Sequence, residues 1–317
     1  MRYYFAPLEG ITGHVFRRSY DRYFGGIDAY YTPFVTTRDG GIMKKKELRD
    51  ILPENNPGIR LIPQIMTTKA NEFVQAATHM QELGYTEVNL NLGCPSGTVV
   101  PKGKGSGFLR EPEKLDQFLY EIYEKCPLAI SIKARIGFHS PDEFPALLDI
   151  FKKYPMRMLI LHLRTREEWY AGEVHPETFR YAWDTLAATA PSTAGSPRDI
   201  LCYNGDIKTA EDVGRLQSDF PELQHVMIGR GYLSHPGFAG NDDKKADYTD
   251  RKALLEFIRS LQEAYEEVLY GEIPVLFKMK EMWSHLKDSF PEDEKLFKKI
   301  KKTKHLSEYE SVLNQLL

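Results

Sequence analysis

Residues 128–163, LAISIKARIGFHSPDEFPALLDIFKKYPMRMLILHL, read as a strand, a helix and a second strand. The runs 128–135 and 157–163 are short and rich in Ile and Leu, whereas 141–153 spaces its apolar residues three and four apart. A strand, crossover helix and strand of this length pair in parallel with a right-handed connection. The same unit recurs outward in both directions. Runs 2–6 (RYYFA), 28–35 (DAYYTPFV), 60–65 (RLIPQI) and 86–92 (TEVNLNL) precede it, and 199–204 (DILCYN) and 224–229 (QHVMIG) follow. Further helical periods are clearest at 69–83, 111–125 and 208–219. Eight strand runs over roughly 230 residues predict an α/β fold, a closed (β/α)₈ TIM barrel, in preference to an open sheet.

Two stretches break the pattern. APSTAGSP at 190–197 reads as a loop lengthening the seventh repeat, and the polar GNDDKKADYTD at 240–250 reads as a linker. Beyond it the strand signal disappears, and helical periods fill 250–270, 275–288, 292–302 and 306–316. The expected organisation is a barrel domain at 1–240, a linker at 241–249 and an all-helical domain at 250–317. Residues 278–305 carry nine lysines and no arginine against five acidic residues, a local excess of four positive charges in a chain of net charge −3. Bulk charge alone therefore identifies no nucleic-acid binder, but this patch is a candidate phosphate-contacting surface.

Composition excludes several classes. The three cysteines, Cys94, Cys126 and Cys202, form no CxxC pair, which argues against a disulfide framework and a zinc site. The start, MRYYFAPLEG, lacks the apolar stretch of a signal peptide, and no run of about 18 apolar residues occurs. A cytoplasmic protein with neither metal, membrane nor obligate protein partner is expected.

In such barrels the active site lies at the C-terminal strand ends. Those ends read Ala6-Pro7-Leu8-Glu9-Gly10, Gln64, Asn91-Leu92-Gly93-Cys94-Pro95, Lys133-Ala134-Arg135, His162-Leu163-Arg164, Asn204-Gly205-Asp206 and Gly229-Arg230-Gly231. Taken singly, each has a structural explanation, as a turn residue or a satisfied rim histidine. Together they make one rim polar, cationic and glycine-rich. Glycine turns after the seventh and eighth strands, with Arg230 beside them, suit a phosphate. No GxGxxG opens a helix after a strand and no GxxxxGK[ST] is present, so a Rossmann dinucleotide site and a P-loop are disfavoured. A mononucleotide flavin fits: its phosphate at the seventh and eighth turns, its ring near Pro7, Gln64 and Lys133, with lysine opposing the charge of the reduced ring. Cys94 directly follows a strand end, and glycines at 97, 103, 105 and 107 suggest a loop able to fold over the site. Cys126 and Cys202 read as structural.

APLEGITGHVFR, NLGCPSGTVVPKGKGSGFL, IKAR, HLRTREEWYAGEVHPE, YNGDI and MIGRGYL resemble, in the same order, the motifs of the tRNA-dihydrouridine synthase family. The resemblance spans the barrel, and the NxGCP element with its glycine-rich sequel is its most specific part. It implies FMN held by Pro7, Leu8, Glu9, Gln64, Lys133 and His162 around the ring. Asn204, Gly205, Asp206, Gly229 and Arg230 are implied around its phosphate. It further implies Cys94 as catalytic acid, Asn91 and Arg135 close to the target base, NADPH as transient reductant and tRNA as partner. Leu8 stands where the family usually has Met, and Thr32-Pro33-Phe34 replaces a more usual acidic segment. The rival readings are an FMN barrel reductase of a small molecule, such as a dihydroorotate dehydrogenase-like enzyme, and a non-redox RNA-binding protein built on the same scaffold.

Overall fold

The structure, a computed structural model, describes residues 1–37, 43–188, 197–240 and 246–315. The loop expected at 190–197 lies, but for Pro197, outside the described residues, as do 241–245 of the expected linker. The strands are β1 (Arg2–Phe5), β2 (Ala29–Tyr31), β3 (Val35–Thr36), β4 (Leu61–Ile62), β5 (Gln64–Met66), β6 (Glu87–Leu92), β7 (Ala129–Arg135), β8 (Leu159–His162), β9 (Leu201–Asn204) and β10 (His225–Ile228). The helices are α1 (His14–Tyr23), α2 (Lys45–Ile51), α3 (Ala70–Glu82), α4 (Pro112–Lys125), α5 (Phe144–Phe151), α6 (Pro176–Ala188), α7 (Ala210–Asp219), α8 (Arg230–Ser234), α9 (Arg251–Val268), α10 (Glu272–Leu286), α11 (Glu294–Lys302) and α12 (Leu306–Leu313).

Ten strand segments occupy the eight predicted runs. The third run is split at Pro63, which has no N–H to give a ladder, and the second at Thr32–Phe34 opposite it. Every pairing among the described residues is parallel, in the order β3-β5-β6-β7-β8-β9-β10-β1-β2-β4. Because β2 with β3, and β4 with β5, are halves of single strands, the two ends of that order are the same pair of neighbours. The sheet thus closes into the predicted barrel, with the β1–β10 seam in register from Arg2 against His225 to Phe5 against Ile228.

Strand alternation divides the core. Tyr4, Tyr31, Ile62, Met158, Ile160, Cys202 and Met227 fill the barrel interior, while Phe5, Tyr30, Leu90, Leu161 and Val226 join the layer between sheet and helices. Cys202 is fully buried there. Local signals set the helix starts: Thr209 accepts from Asp212 N at 3.2 Å while Asp212 accepts from Thr209 N at 2.9 Å, a capping box opening α7.

A buried polar knot sets the turn after β1. Arg17 of α1, fully buried, donates to Thr12 O at 2.7 Å, to Asp50 Oδ2 at 3.1 Å and to Asn56 Oδ1 at 2.8 Å. Asp50 also accepts from His14 N at 2.6 Å, and Thr12 Oγ1 accepts from Leu8 N at 2.9 Å. The segment Pro7–Glu9 is therefore linked through Thr12 to the Arg17–Asp50 charge pair.

The C-terminal helical region lies on the same side of the barrel. Phe257 of α9 packs on α1, its ring 6.3 Å from Phe16, 6.4 Å from Tyr20 and 5.1 Å from Phe24. Helix α10 is fastened at its middle and just beyond its C-terminal end: Lys278 Nζ donates to Gly10 O in the turn after β1, and Ser289, just past α10, donates to Ser234 O at the end of α8. Trp283 Nε1 donates to Tyr309 Oη at 2.8 Å, holding α12 to α10. No helix among the described residues is long and apolar enough to cross a membrane.

Candidate active site

A cavity of about 910 Å³ opens at the C-terminal ends of the strands. Every residue expected around the flavin or the target base except Arg135 lines it. Pro7, Leu8 and Glu9 come from the turn after β1, Gln64 from β5, Asn91 and Cys94 from the end of β6, Lys133 from β7 and His162 from β8. Asn204, Gly205 and Asp206 follow β9, and Gly229 and Arg230 follow β10.

Arg135 is fully buried behind the wall. It donates through Nε to Gly93 O at 2.9 Å and through Nη1 to Thr165 O at 2.6 Å. Its place is beneath the turn that carries Cys94, joining that turn to the loop after β8.

A chain of amides links the neighbouring strands β5, β6 and β7. Ser131 Oγ accepts from Asn89 Nδ2 at 3.0 Å, Asn89 Oδ1 accepts from Gln64 Nε2 at 2.7 Å, and Gln64 Oε1 accepts from Asn91 Nδ2 at 2.7 Å. Asn91 Oδ1 then accepts from the backbone of both Gly93 (3.0 Å) and Cys94 (2.9 Å). Asn91 thus holds the Cys94 turn through its oxygen, and Gln64 keeps only part of its bonding capacity for a ligand. Burial pushes the Cys94 thiol up, against the opposing pull of the Ser96 backbone N–H, Arg135 and Lys133. A thiol so placed carries its proton at neutral pH.

The glycine-rich sequel to Cys94 is packed, not a free flap. Ser106 donates to Cys94 O through Oγ (2.8 Å) and N (3.1 Å), and residues 105–109 are buried. Gly105 has φ +58°, and a Cβ there would lie 2.8 Å from Cys94 O; at Gly107 it would lie 2.6 Å from Val100 O. These glycines serve close approach to the site, a use that sequence spacing does not distinguish from a hinge.

Charge is unevenly distributed. Burial, then neighbouring Arg135, lowers Lys133 to about 8. Burial and the charges of Arg135, Lys133, Arg164 and Arg230 hold His162 well below the ordinary histidine range, so its ring is neutral at pH 7. Asp206 receives Arg164 at 3.0 and 2.7 Å and Arg230 at 3.0 Å. Burial alone would raise this carboxyl, but the Arg164 and Arg230 contacts lower it, and it stays charged. Asp206 thereby fixes Arg230, which also donates to Tyr170 O at 3.1 Å. The turns themselves are tight: a Cβ on Gly205 would meet the Tyr203 ring at 2.7 Å, and one on Gly231 would meet Ile207 O at 2.1 Å.

Several lining residues were not expected in the cavity from the sequence. Trp169 and Tyr170 enter from the loop after β8, Lys208 from the turn after β9, Lys44 from the start of α2, and His285 from α10. The adjacent aromatic pair between two charged stretches was the available signal. Nothing local marks His285, because α10 reaches the cavity only through tertiary packing. Of the nine lysines in the basic patch, Lys278 and Lys280 are turned to backbone carbonyls, Gly10 O and Thr303 O. Lys287, Lys295, Lys298, Lys299, Lys301, Lys302 and Lys304 are exposed.

The model of the dihydrouridine synthase (Dus) family matches residues 4–316. Among relatives, a Staphylococcus aureus protein named "Probable tRNA-dihydrouridine synthase" is 28% identical over 269 residues, covering 83% of this chain and 77% of its own length. A Bacillus subtilis protein named "Probable tRNA-dihydrouridine synthase 2" is 28% identical over 285 residues, 86% of this chain and 83% of its own. A Staphylococcus epidermidis protein of the first name is 26% identical over 266 residues, 83% and 78% respectively.

Proposed function

This chain belongs to the dihydrouridine synthase family, and from that membership we propose that it reduces uridines of tRNA to dihydrouridine, with FMN across its cavity and NADPH as the transient reductant. The observation that carries this reading is the convergence of Cys94, Lys133, His162 and Arg230 on one cavity. Its volume lies within the range of small-molecule sites.

The residues present suit a flavin mononucleotide. Arg230, fixed by Asp206, and the Gly205 and Gly229 turns would take the phosphate, and Lys133, Gln64 and the Pro7–Glu9 turn would meet the ring. When bound, the flavin would supply the hydride for carbon 6 of the uracil. Cys94 then gives its proton to carbon 5, which its raised thiol pKa permits at neutral pH. Lys133 places positive charge beside the reacting ring. His162, held neutral, contributes hydrogen bonding without adding a further charge. Asn91 and Arg135 position the Cys94 turn. The target base must leave its stack to reach the cavity, at a cost of a few kcal/mol that RNA contacts elsewhere must offset.

The protein is expected to purify yellow and to form dihydrouridine in tRNA lacking it. A colourless protein that takes up no added FMN removes the proposal. Lys133→Met should weaken FMN binding about tenfold or more, the scale of a hydrogen bond to a charged group. Because Lys133 is charged below about pH 8 and neutral above it, wild-type affinity should decline between pH 7 and 9 while the variant's stays flat. Fluorescence titration with FMN across that range measures both.

We also propose that residues 250–317 hold the tRNA body, through exposed lysines acting as point-like phosphate contacts. Replacing Lys298, Lys299, Lys301 and Lys302 together by Ala should flatten the dependence of tRNA affinity on salt by about one unit for each phosphate no longer neutralised. An unaltered slope assigns the RNA grip to another surface.

A further inference from the structure

Trp169 is placed where a tryptophan is costly to keep. It is 41% exposed at the cavity mouth, and the adjoining Tyr170 is 48% exposed. Of the large apolar side chains exposed among the described residues, these two alone line the cavity. Trp169 is also the one described non-glycine residue with positive φ, +51°, a conformation that a bulky side chain rarely adopts and that persists only when its surroundings impose it.

The surroundings do impose it. Glu168 accepts from Thr165 N at 2.6 Å and is paired with His175 Nε2 at 2.6 Å, while its carbonyl accepts from Ala171 and Gly172. Arg164 Nε ties Gly172 O at 2.7 Å, and a Cβ on Gly172 would meet Glu168 Cβ at 2.6 Å. Arg166 lies 5.3 Å from the indole centroid and backs it with a cation. Tyr170 is fixed beside it: Arg135 and Arg230 stand 5.2 and 5.3 Å from its ring, which stacks on His162 at 6.0 Å. The loop spends strain and charge to hold aromatic rings open to solvent among cations. That combination of π-face and positive charge is the chemistry of nucleobase stacking.

We propose that Trp169 is a stacking platform for the RNA base adjoining the uridine that enters the cavity. This rests on the reading of tRNA as substrate. Stacking is tolerant of base identity, so the platform supplies affinity and orientation without sequence choice. The same ring chemistry would suit a base of the dinucleotide reductant, and the test separates the two.

Trp183 and Trp283, the other tryptophans, are 4% and 3% exposed, so quenching of intrinsic fluorescence on ligand binding reports chiefly on Trp169. The flavin-loaded protein is titrated with tRNA lacking dihydrouridine and, separately, with NADPH. Variants are Trp169→Gly, which keeps the left-handed backbone without strain, and Trp169→Phe, which keeps an aromatic face. Wild-type fluorescence should be quenched by tRNA, and Trp169→Phe should lose that quenching while retaining most of the affinity. Trp169→Gly should bind tRNA about 5- to 100-fold more weakly, with flavin absorbance and melting temperature preserved. Unchanged tRNA affinity in Trp169→Gly overturns the proposal, as does a loss confined to NADPH. Direct binding reads the platform apart from turnover, so tight, Trp169-dependent tRNA binding without uridine reduction would instead overturn the proposed activity.

Discussion

Cys94→Ala is expected to lower dihydrouridine formation by roughly 10²–10⁴-fold, the range for loss of a positioned general acid. Flavin content and NADPH oxidation by oxygen should persist, because Lys133, His162 and Arg230 remain. The structural reason for expecting a large effect is that the turn has one proton donor held in place from several sides. Asn91 accepts from its backbone N–H, Ser106 donates to its carbonyl, and burial keeps the thiol protonated. Cys126→Ala and Cys202→Ala are the controls: the first sits at the end of α4, the second inside the barrel, and neither lines the cavity. Nucleoside analysis of digested tRNA after single-turnover reaction measures the rate. Wild-type rates in Cys94→Ala would transfer the acid role, with Lys133, still protonated at pH 7, and not the neutral His162, the next residue to test.

The second large effect is on stability. Asp50→Ala should destabilise the fold by about 3–5 kcal/mol, since it leaves the fully buried Arg17 without its counter-charge. This is a large share of the roughly 5–15 kcal/mol that holds a typical protein folded. Burial alone would raise the Asp50 carboxyl, but hydrogen bonds from His14 and the charge of Arg17 lower it. With the folded value depressed, its contribution is complete above the ordinary aspartate value of 3.8 and disappears as the pH falls below it. Urea unfolding at pH 7 and pH 3 should therefore show a variant deficit that shrinks in acid. An equal deficit at both would mean that packing, not charge, dominates. Flavin affinity should fall as well, because Thr12, which receives Arg17, also receives Leu8 N.

Much of the fold and the site is legible in the sequence, for identifiable reasons. Barrel strands are apolar on both faces, so runs such as 128–135 and 157–163 stand out, and site residues gather at their C-terminal ends because the βα loops converge there around one mouth. What escapes depends on tertiary packing. The split at Pro63 becomes visible only once its neighbour breaks opposite it. Arg135 shares the motif and strand end of Lys133, yet two residues further along it turns behind the wall to hold Gly93 and Thr165. Helix α10 begins at Glu272, not 275, because Pro274 falls in the first turn, where a missing N–H costs little. The helical period after 250 is clear, but a period does not say what it packs on, so the docking of Phe257 on α1 leaves no local trace.

That docking has a bearing on how the chain is made. Strand β1 finds its partner β10 only when residue 228 has emerged, and Phe16 and Tyr20, which also pack on Phe5, meet Phe257 together with Phe24 only once α9, which ends at Val268, has emerged. At roughly 5–20 residues per second, the nascent chain would carry Phe16, Tyr20 and Phe24 without their α9 partner for about 12–50 s. The barrel cannot mature in the order of its synthesis, so its oldest segment must wait for its youngest. Chaperone dependence and loss to aggregation during rapid expression should accordingly concentrate in the first helix.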